Sequence, residues 1–181
     1  MNTFCYFLFI LFKSCVTILD IEENNTCQLS FKQYAFLPIS INMKDETNLP
    51  ILIVDDNSQY AQLLRKILES SFGFNNITSV SDTKDAKDLI DSDPEKFRLL
   101  FIDYNFPTGY TGGELLGDLH KANQMHGKAA FLITSEPSLS NVDQATKAGA
   151  LGVVVKPFSR TDLQTKIERA LRFLDNENDT F

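Results

Sequence analysis

The chain has no tryptophan, and only 2 histidines and 3 cysteines among its 181 residues. Cys5, Cys15 and Cys27 all precede Met43, so nothing after that point can build a disulfide framework or a cysteine zinc site. His120 and His126 lie on or just past a helical pattern, with no acidic or cysteine partner at ligand spacing, and read as surface residues. Basic residues are also scarce: 17 Lys and Arg face 24 Asp and Glu, a formal charge of -7 and a pI near 4.8. That balance excludes a direct binder of the nucleic-acid backbone, which needs a clustered basic face.

Long apolar runs are missing too. Phe4–Phe12 has the size of a signal-peptide core, yet no Lys or Arg precedes it, Lys13 cuts it short and no Ala-x-Ala site follows. Even extended through Val16–Leu19, it falls short of the about 20 apolar residues that a spanning helix needs, which argues against a membrane anchor. Met43-Lys-Asp-Glu-Thr-Asn-Leu-Pro reads as a natural start. Residues 1–42 are then an extension that is disordered or not native, and 43–49 form a short lead-in to the folded part.

What is present is ordinary for one globular domain: 43% hydrophobic and 23% charged residues, in a chain long enough to bury a core. From Pro50 onward, apolar runs alternate with helix-period segments. Strands are expected at Pro50–Val54, Ile77–Val80, Phe97–Ile102, Ala129–Ile133 and Leu151–Val155. Helices are expected over Ser58–Ser71, where Tyr60, Leu63, Leu64, Ile67 and Leu68 recur at helical spacing and Gly73 makes the stop, from Ser81-Asp82-Thr83 to Ile90, from about Glu114 to Gln124 and from about Leu139 to Ala148. A last helix, capped by Ser159 and Asp162, carries an apolar stripe ending at Leu174. Five βα units with right-handed crossovers make an α/β fold, a doubly wound five-stranded parallel sheet with five helices over 50–174. An acidic tail, 175–181, follows.

Four polar points end the apolar runs: Asp55-Asp56, Asp103, Thr134 and Lys156-Pro157. Parallel strands buried on both faces bring such ends together at one sheet edge, where open α/β sheets bind ligands. Carboxylates, a hydroxyl and an ammonium there suit a hard cation and a phosphoryl group. Asp55-Asp56-Asn57 alone could be only a helix cap. Asp103 ending a wholly apolar strand is a costly charge unless a cation compensates it.

Ile51-Leu-Ile-Val-Asp55-Asp56-Asn57, Leu99-Leu-Phe-Ile-Asp103 with Pro107, Phe131-Leu-Ile-Thr134-Ser135, and Ala148-Gly-Ala-Leu-Gly-Val-Val-Val-Lys156-Pro157-Phe158 resemble the receiver domain of bacterial two-component response regulators, of the flavodoxin-like (βα)5 type. The resemblance covers about Leu49 to Leu174. It implies a phosphoacceptor at Asp103, and Mg²⁺ held by Asp55, Asp56, Asp103 and the backbone carbonyl of Asn105. It further implies a phosphoryl-pairing Lys156 before a cis proline and a phosphate-following hydroxyl at Thr134. Asn105 and Glu136 match positions that tune attack by water on the acyl phosphate and resemble the fast-dephosphorylating chemotaxis type.

The implied function is a stand-alone cytoplasmic receiver that catalyses only its own phosphorylation and dephosphorylation. It would take its phosphoryl group from a histidine kinase or histidine phosphotransfer protein. The signal would pass by phosphorylation-dependent partner binding on the 139–174 face, or by phosphorelay. Two departures affect the readout. Val153 stands where the family usually has a swinging aromatic, and the glycine after Pro107 comes late, as Gly112 or Gly113, beyond Tyr110 and Thr111. These departures favour the alternative of a phosphate-independent binding module, but degenerate receivers usually lose an acidic residue or the lysine, and none is lost here. A dehalogenase-like phosphatase would want an aspartate where Asn105 stands.

Overall fold

Five short strands alternate with five helices along residues 47–178, the part of the chain that this computed structural model describes. They are β1 (Ile51–Val54), α1 (Ser58–Phe72), β2 (Ile77–Val80), α2 (Thr83–Ser92), β3 (Leu99–Asp103), α3 (Gly112–Lys121), β4 (Ala129–Thr134), α4 (Leu139–Lys147), β5 (Gly152–Val155) and α5 (Arg160–Asn178). The strands form one parallel sheet, as the alternating pattern predicts, and their order in it is β2-β1-β3-β4-β5.

The three inner strands, β1, β3 and β4, are buried along their whole length, which explains their unbroken apolar sequences. Leu52, Val54, Leu100, Ile102, Ala130 and Leu132 pack with Ile90 of α2 and Leu115, Leu116 and Leu119 of α3. The alternate residues point to the opposite face, where the rings of Phe101 and Phe131 stack at 5.7 Å between centroids. Each such fully buried side chain contributes about 1.5–3 kcal/mol. Together they hold the strand ends rigidly.

Every helix start is capped by a side chain. Asn57 accepts from the N–H groups of Gln59 and Tyr60, Asp82 from Lys84, and Ser138 from Asn141. At α5, Ser159 and Asp162 exchange bonds: the Ser159 N–H donates to Asp162 at 2.8 Å, and the Asp162 N–H donates to the Ser159 hydroxyl. Gly73 closes α1 in the left-handed conformation, φ +78°, as its place in the sequence suggests.

Several boundaries differ from the sequence expectations. The first, third and fifth strands begin at Ile51, Leu99 and Gly152, while β3 and β4 take in Asp103 and Thr134 themselves. The third helix starts at Gly112 rather than about Glu114, and ends at Lys121 rather than Gln124. Thr111 and Glu114 form a capping box, so both glycines belong to the first turn. On α1, Leu63 is 40% exposed, and the buried stripe runs instead through Ala61, Leu64, Leu68 and Phe72. Helix α5 continues past Leu174 through Asp175–Asn178, which had been assigned to the tail. The readings of 1–42, of the Met43 start and of the lead-in up to residue 46, and of residues 179–181 lie outside the described residues. Among the described residues no helix is long and apolar enough to cross a membrane.

Candidate functional site

Parallel register brings the polar points to one edge. Asp103 ends β3 opposite Ile133, and the next residue of β4, Thr134, stands opposite Val155 of β5. Asp55 follows β1, its N–H donating to the Val80 carbonyl. Lys156 follows β5, its N–H donating to the Thr134 carbonyl at 2.8 Å, and its peptide bond to Pro157 is cis, as the resemblance implies.

The Lys156 ammonium lies between two carboxylates, 2.8 Å from Asp55 Oδ2 and 3.1 Å from Asp103 Oδ2. All three residues are buried. The other carboxylate oxygens accept from the backbone: Asp55 Oδ1 from the Asn57 N–H and Asp103 Oδ1 from the Tyr104 N–H, each at 2.9 Å. Burial raises the Asp103 carboxyl above its ordinary range; the Lys156 charge opposes that rise and the Asp55 charge adds to it. Asp103 is therefore a carboxylate whose charge is held at a cost.

Asp56 is exposed, and carboxylate oxygens of Asp55, Asp56 and Asp103 all lie within 4.8 Å of one another. Three carboxylates against one ammonium leave two negative charges in excess, all on hard oxygen donors. This donor set fits Mg²⁺, which takes a few carboxylates and completes its shell with water and phosphate oxygens. A cavity of about 320 Å³ opens onto the cluster and is lined by Asp56, Asn57, Tyr60, Asp103, Asn105, Phe106, Pro107, Ser135 and Lys156. Asn105 is thus at the site.

The remaining sequence candidates are placed less directly. Thr134 is buried, its hydroxyl accepting from the Glu136 N–H at 3.1 Å, and Ser135 rather than Thr134 lines the cavity. Glu136 is exposed and outside that lining. His120 and His126 are both exposed, as read from sequence. Val153 is half-buried in β5 and packs on the α2–α3 side of the core.

Three residues escaped sequence reasoning. The Lys156 ammonium lies over the Tyr60 ring, 4.6 Å from its centroid, although periodicity suggested only a core position for Tyr60. Tyr104 joins Asp103 to α4 through a 2.8 Å bond from its hydroxyl to Gln144. Gly112 lies directly behind the end of β3: a Cβ there would fall 1.9 Å from the Asp103 carbonyl oxygen. The capping box Thr111-x-x-Glu114 was a signal for the last of these; for the two tyrosines the sequence carries none.

The family description "response regulator receiver domain" matches residues 51–168. The chemotaxis protein CheY of Pseudomonas aeruginosa is 32% identical over 121 residues, covering 67% of this chain and 94% of that protein. CheY-3 of Vibrio cholerae is 30% identical over 122 residues, covering 67% and 91%. Among solved structures, a CheY-like receiver domain from Methanospirillum hungatei is 28% identical with a TM-score of 0.62, covering 74% of this chain and 99% of that one. The CheX-CheY-BeF3-Mg²⁺ complex of Borrelia burgdorferi shares the fold, with 21% identity, a TM-score of 0.61 and coverage of 68% and 89%.

Proposed function

This chain belongs to the response regulator receiver domain family, and on that premise we propose that it accepts a phosphoryl group on Asp103 and signals through a protein partner. The observation that carries this reading is the Lys156 ammonium shared between Asp55 and Asp103, at 2.8 and 3.1 Å, with Asp56 completing the acidic cluster. The donor would be a phosphohistidine on a kinase or phosphotransfer protein. An Asp103 oxygen attacks the phosphorus, the P–N bond breaks, and the imidazole leaves with the bond's electron pair and takes up a proton. The product is an aspartyl phosphate.

Mg²⁺ held by Asp55, Asp56, Asp103 and the Asn105 carbonyl would neutralise phosphoryl oxygens during transfer. The chain's own part is positioning. The Tyr104 N–H orients the Asp103 carboxylate, and backbone bonds fix Asp55. Lys156 can exchange its Asp103 contact for a phosphoryl oxygen once acyl phosphate formation moves the negative charge from the carboxylate to the phosphoryl group, while its Asp55 contact persists. Thr134 would follow the bound phosphate, and Asn105 and Glu136 would orient water for its hydrolysis. No other substrate is turned over, and the setting is the cytoplasm. The output partner would bind the 139–174 face, where Val155 is 43% exposed.

Acetyl phosphate, or beryllofluoride as a phosphoryl mimic, tests this with and without Mg²⁺. The wild type should acquire acid-stable, hydroxylamine-labile label on Asp103, and Asp103→Asn none. The absence of any Mg²⁺-dependent change in the wild type would leave the phosphate-independent binding module, and steady turnover of phosphomonoesters would point to a phosphatase.

A further inference from the structure

We propose that Tyr60 is a positioning residue for phosphotransfer, its ring face holding the Lys156 ammonium between Asp55 and Asp103. The inference rests on the phosphoacceptor reading of Asp103 and names a part of that site which the motifs do not contain.

A lysine ammonium has three N–H donors and no acceptor. Two contacts go to Asp55 Oδ2 and Asp103 Oδ2. A third side of the ammonium faces the Tyr60 ring, 4.6 Å from its centroid. Tyr60 is itself seated: its ring meets that of buried Phe158 at 6.2 Å and 49°, and its N–H is held by the Asn57 cap. It also lines the reaction cavity beside Asp103 and Lys156.

The chemistry of an aromatic face suits this place. A ring attracts a cation through its quadrupole without carrying a formal charge. A carboxylate in the same position would compete with incoming phosphoryl oxygens for the ammonium and add another negative charge to a site that already has two in excess. An aliphatic side chain would leave the ammonium free to sample other rotamers of a long, flexible stem. The ring fixes the head of Lys156 laterally and leaves it free to pass from Asp103 to a phosphoryl oxygen. Phe158, two residues after the lysine, backs the ring, so the Lys156-Pro157-Phe158 segment supplies both the cation and the support for its holder.

The test compares Tyr60→Phe, which keeps the face, with Tyr60→Leu, which removes it. Single-turnover labelling by acetyl phosphate at saturating donor and Mg²⁺ reports rate, and the Lys156 Hε resonances report ring current. Tyr60→Phe should label within about twofold of wild type, and Tyr60→Leu about three- to thirtyfold more slowly, the span from a partly exposed to a desolvated cation–π contact. The upfield ring shift at Lys156 should persist in Tyr60→Phe and vanish in Tyr60→Leu. Equal labelling of Tyr60→Leu and wild type overturns the role of Tyr60 alone. A Tyr60→Phe variant as slow as Tyr60→Leu also overturns it, by assigning the effect to the hydroxyl. A wild type that takes no label overturns the phosphoacceptor reading and the role of Tyr60 with it.

Discussion

The Tyr104 hydroxyl donates to Gln144 at 2.8 Å, so the residue that follows Asp103 is tied directly to α4. At its other end, the Tyr104 N–H meets both Asp103 Oδ1 and the Ile133 carbonyl. One residue therefore touches the Asp103 carboxylate and a helix of the 139–174 face. Val153 offers no aromatic ring to make such a link, and the Tyr104 hydroxyl supplies a direct one from the residue after Asp103 to α4.

Removing the hydroxyl should loosen α4 without unfolding the protein. An exposed hydrogen bond contributes on the order of 1 kcal/mol or less, so Tyr104→Phe should fold normally. Amide exchange should rise in peptides covering 139–147 and stay unchanged in those covering 58–72. The beryllofluoride-induced change in 139–147 should shrink as well. Equal acceleration in both helices would mean a general loss of stability and no specific link.

Gly112 sets how closely α3 approaches β3 at Asp103. Its N–H donates to the Tyr104 carbonyl at 2.9 Å, and an added Cβ would meet the Asp103 carbonyl oxygen at 1.9 Å and Ile102 Cγ2 at 2.8 Å. The nearest of these atoms is backbone and cannot rotate away. Gly112→Ala should cost about 2 kcal/mol or more by overpacking, and should lower Mg²⁺ affinity by displacing Asp103. Gly117, in the same helix, has nothing within 4 Å of its Cβ position. Gly117→Ala should instead stabilise by about 0.5–1 kcal/mol through helix propensity. Urea melts with and without Mg²⁺ check both.

These glycines mark where the sequence was hard to read. Gly112 and Gly113 look like loop because glycine is a poor helix former, yet a capping box and the close approach to Asp103 place them in the first turn. Helix α5 outruns its apolar stripe because hydrophobic spacing records only the packed face; the final turn needs no buried partner. The sheet and its polar edge were legible because buried parallel strands require unbroken apolar runs. The contact between Tyr60 and Lys156 was not, because it joins the first helix to the end of the last strand and depends on side-chain direction rather than pattern.

Stability should depend on pH through Asp103. Burial raises its folded-state value, so the folded protein binds a proton in a range where the unfolded chain has already lost it. Stability contributed by this group is present below the ordinary carboxylate value and is lost as pH rises through the raised one. In EDTA at neutral pH, Asp103→Asn should therefore melt at a higher temperature than wild type. The difference should shrink on acidification below the ordinary carboxylate range. Adding Mg²⁺ should stabilise the wild type by mass action and the variant much less. A variant that melts below the wild type in EDTA would show that the Lys156 contact outweighs burial.

The lifetime of the phosphorylated form should depend more on Asn105 than on Glu136. The resemblance implies that both positions tune attack by water, and both side chains can orient it. Their placement separates them: Asn105 lines the cavity at Asp103, whereas Glu136 is exposed beyond that lining, its carbonyl bound by Asn141. Loss of one well-placed water-orienting group costs about tenfold or more in a hydrolytic step, and a group outside the site costs much less. After labelling and removal of the donor, wild type with Mg²⁺ should lose its label within minutes. Asn105→Ala should hold it markedly longer, and Glu136→Ala should resemble wild type. If Glu136→Ala had the longer-lived label, the loop after Thr134 would have to close over the phosphate once it is bound, bringing the carboxylate to the site.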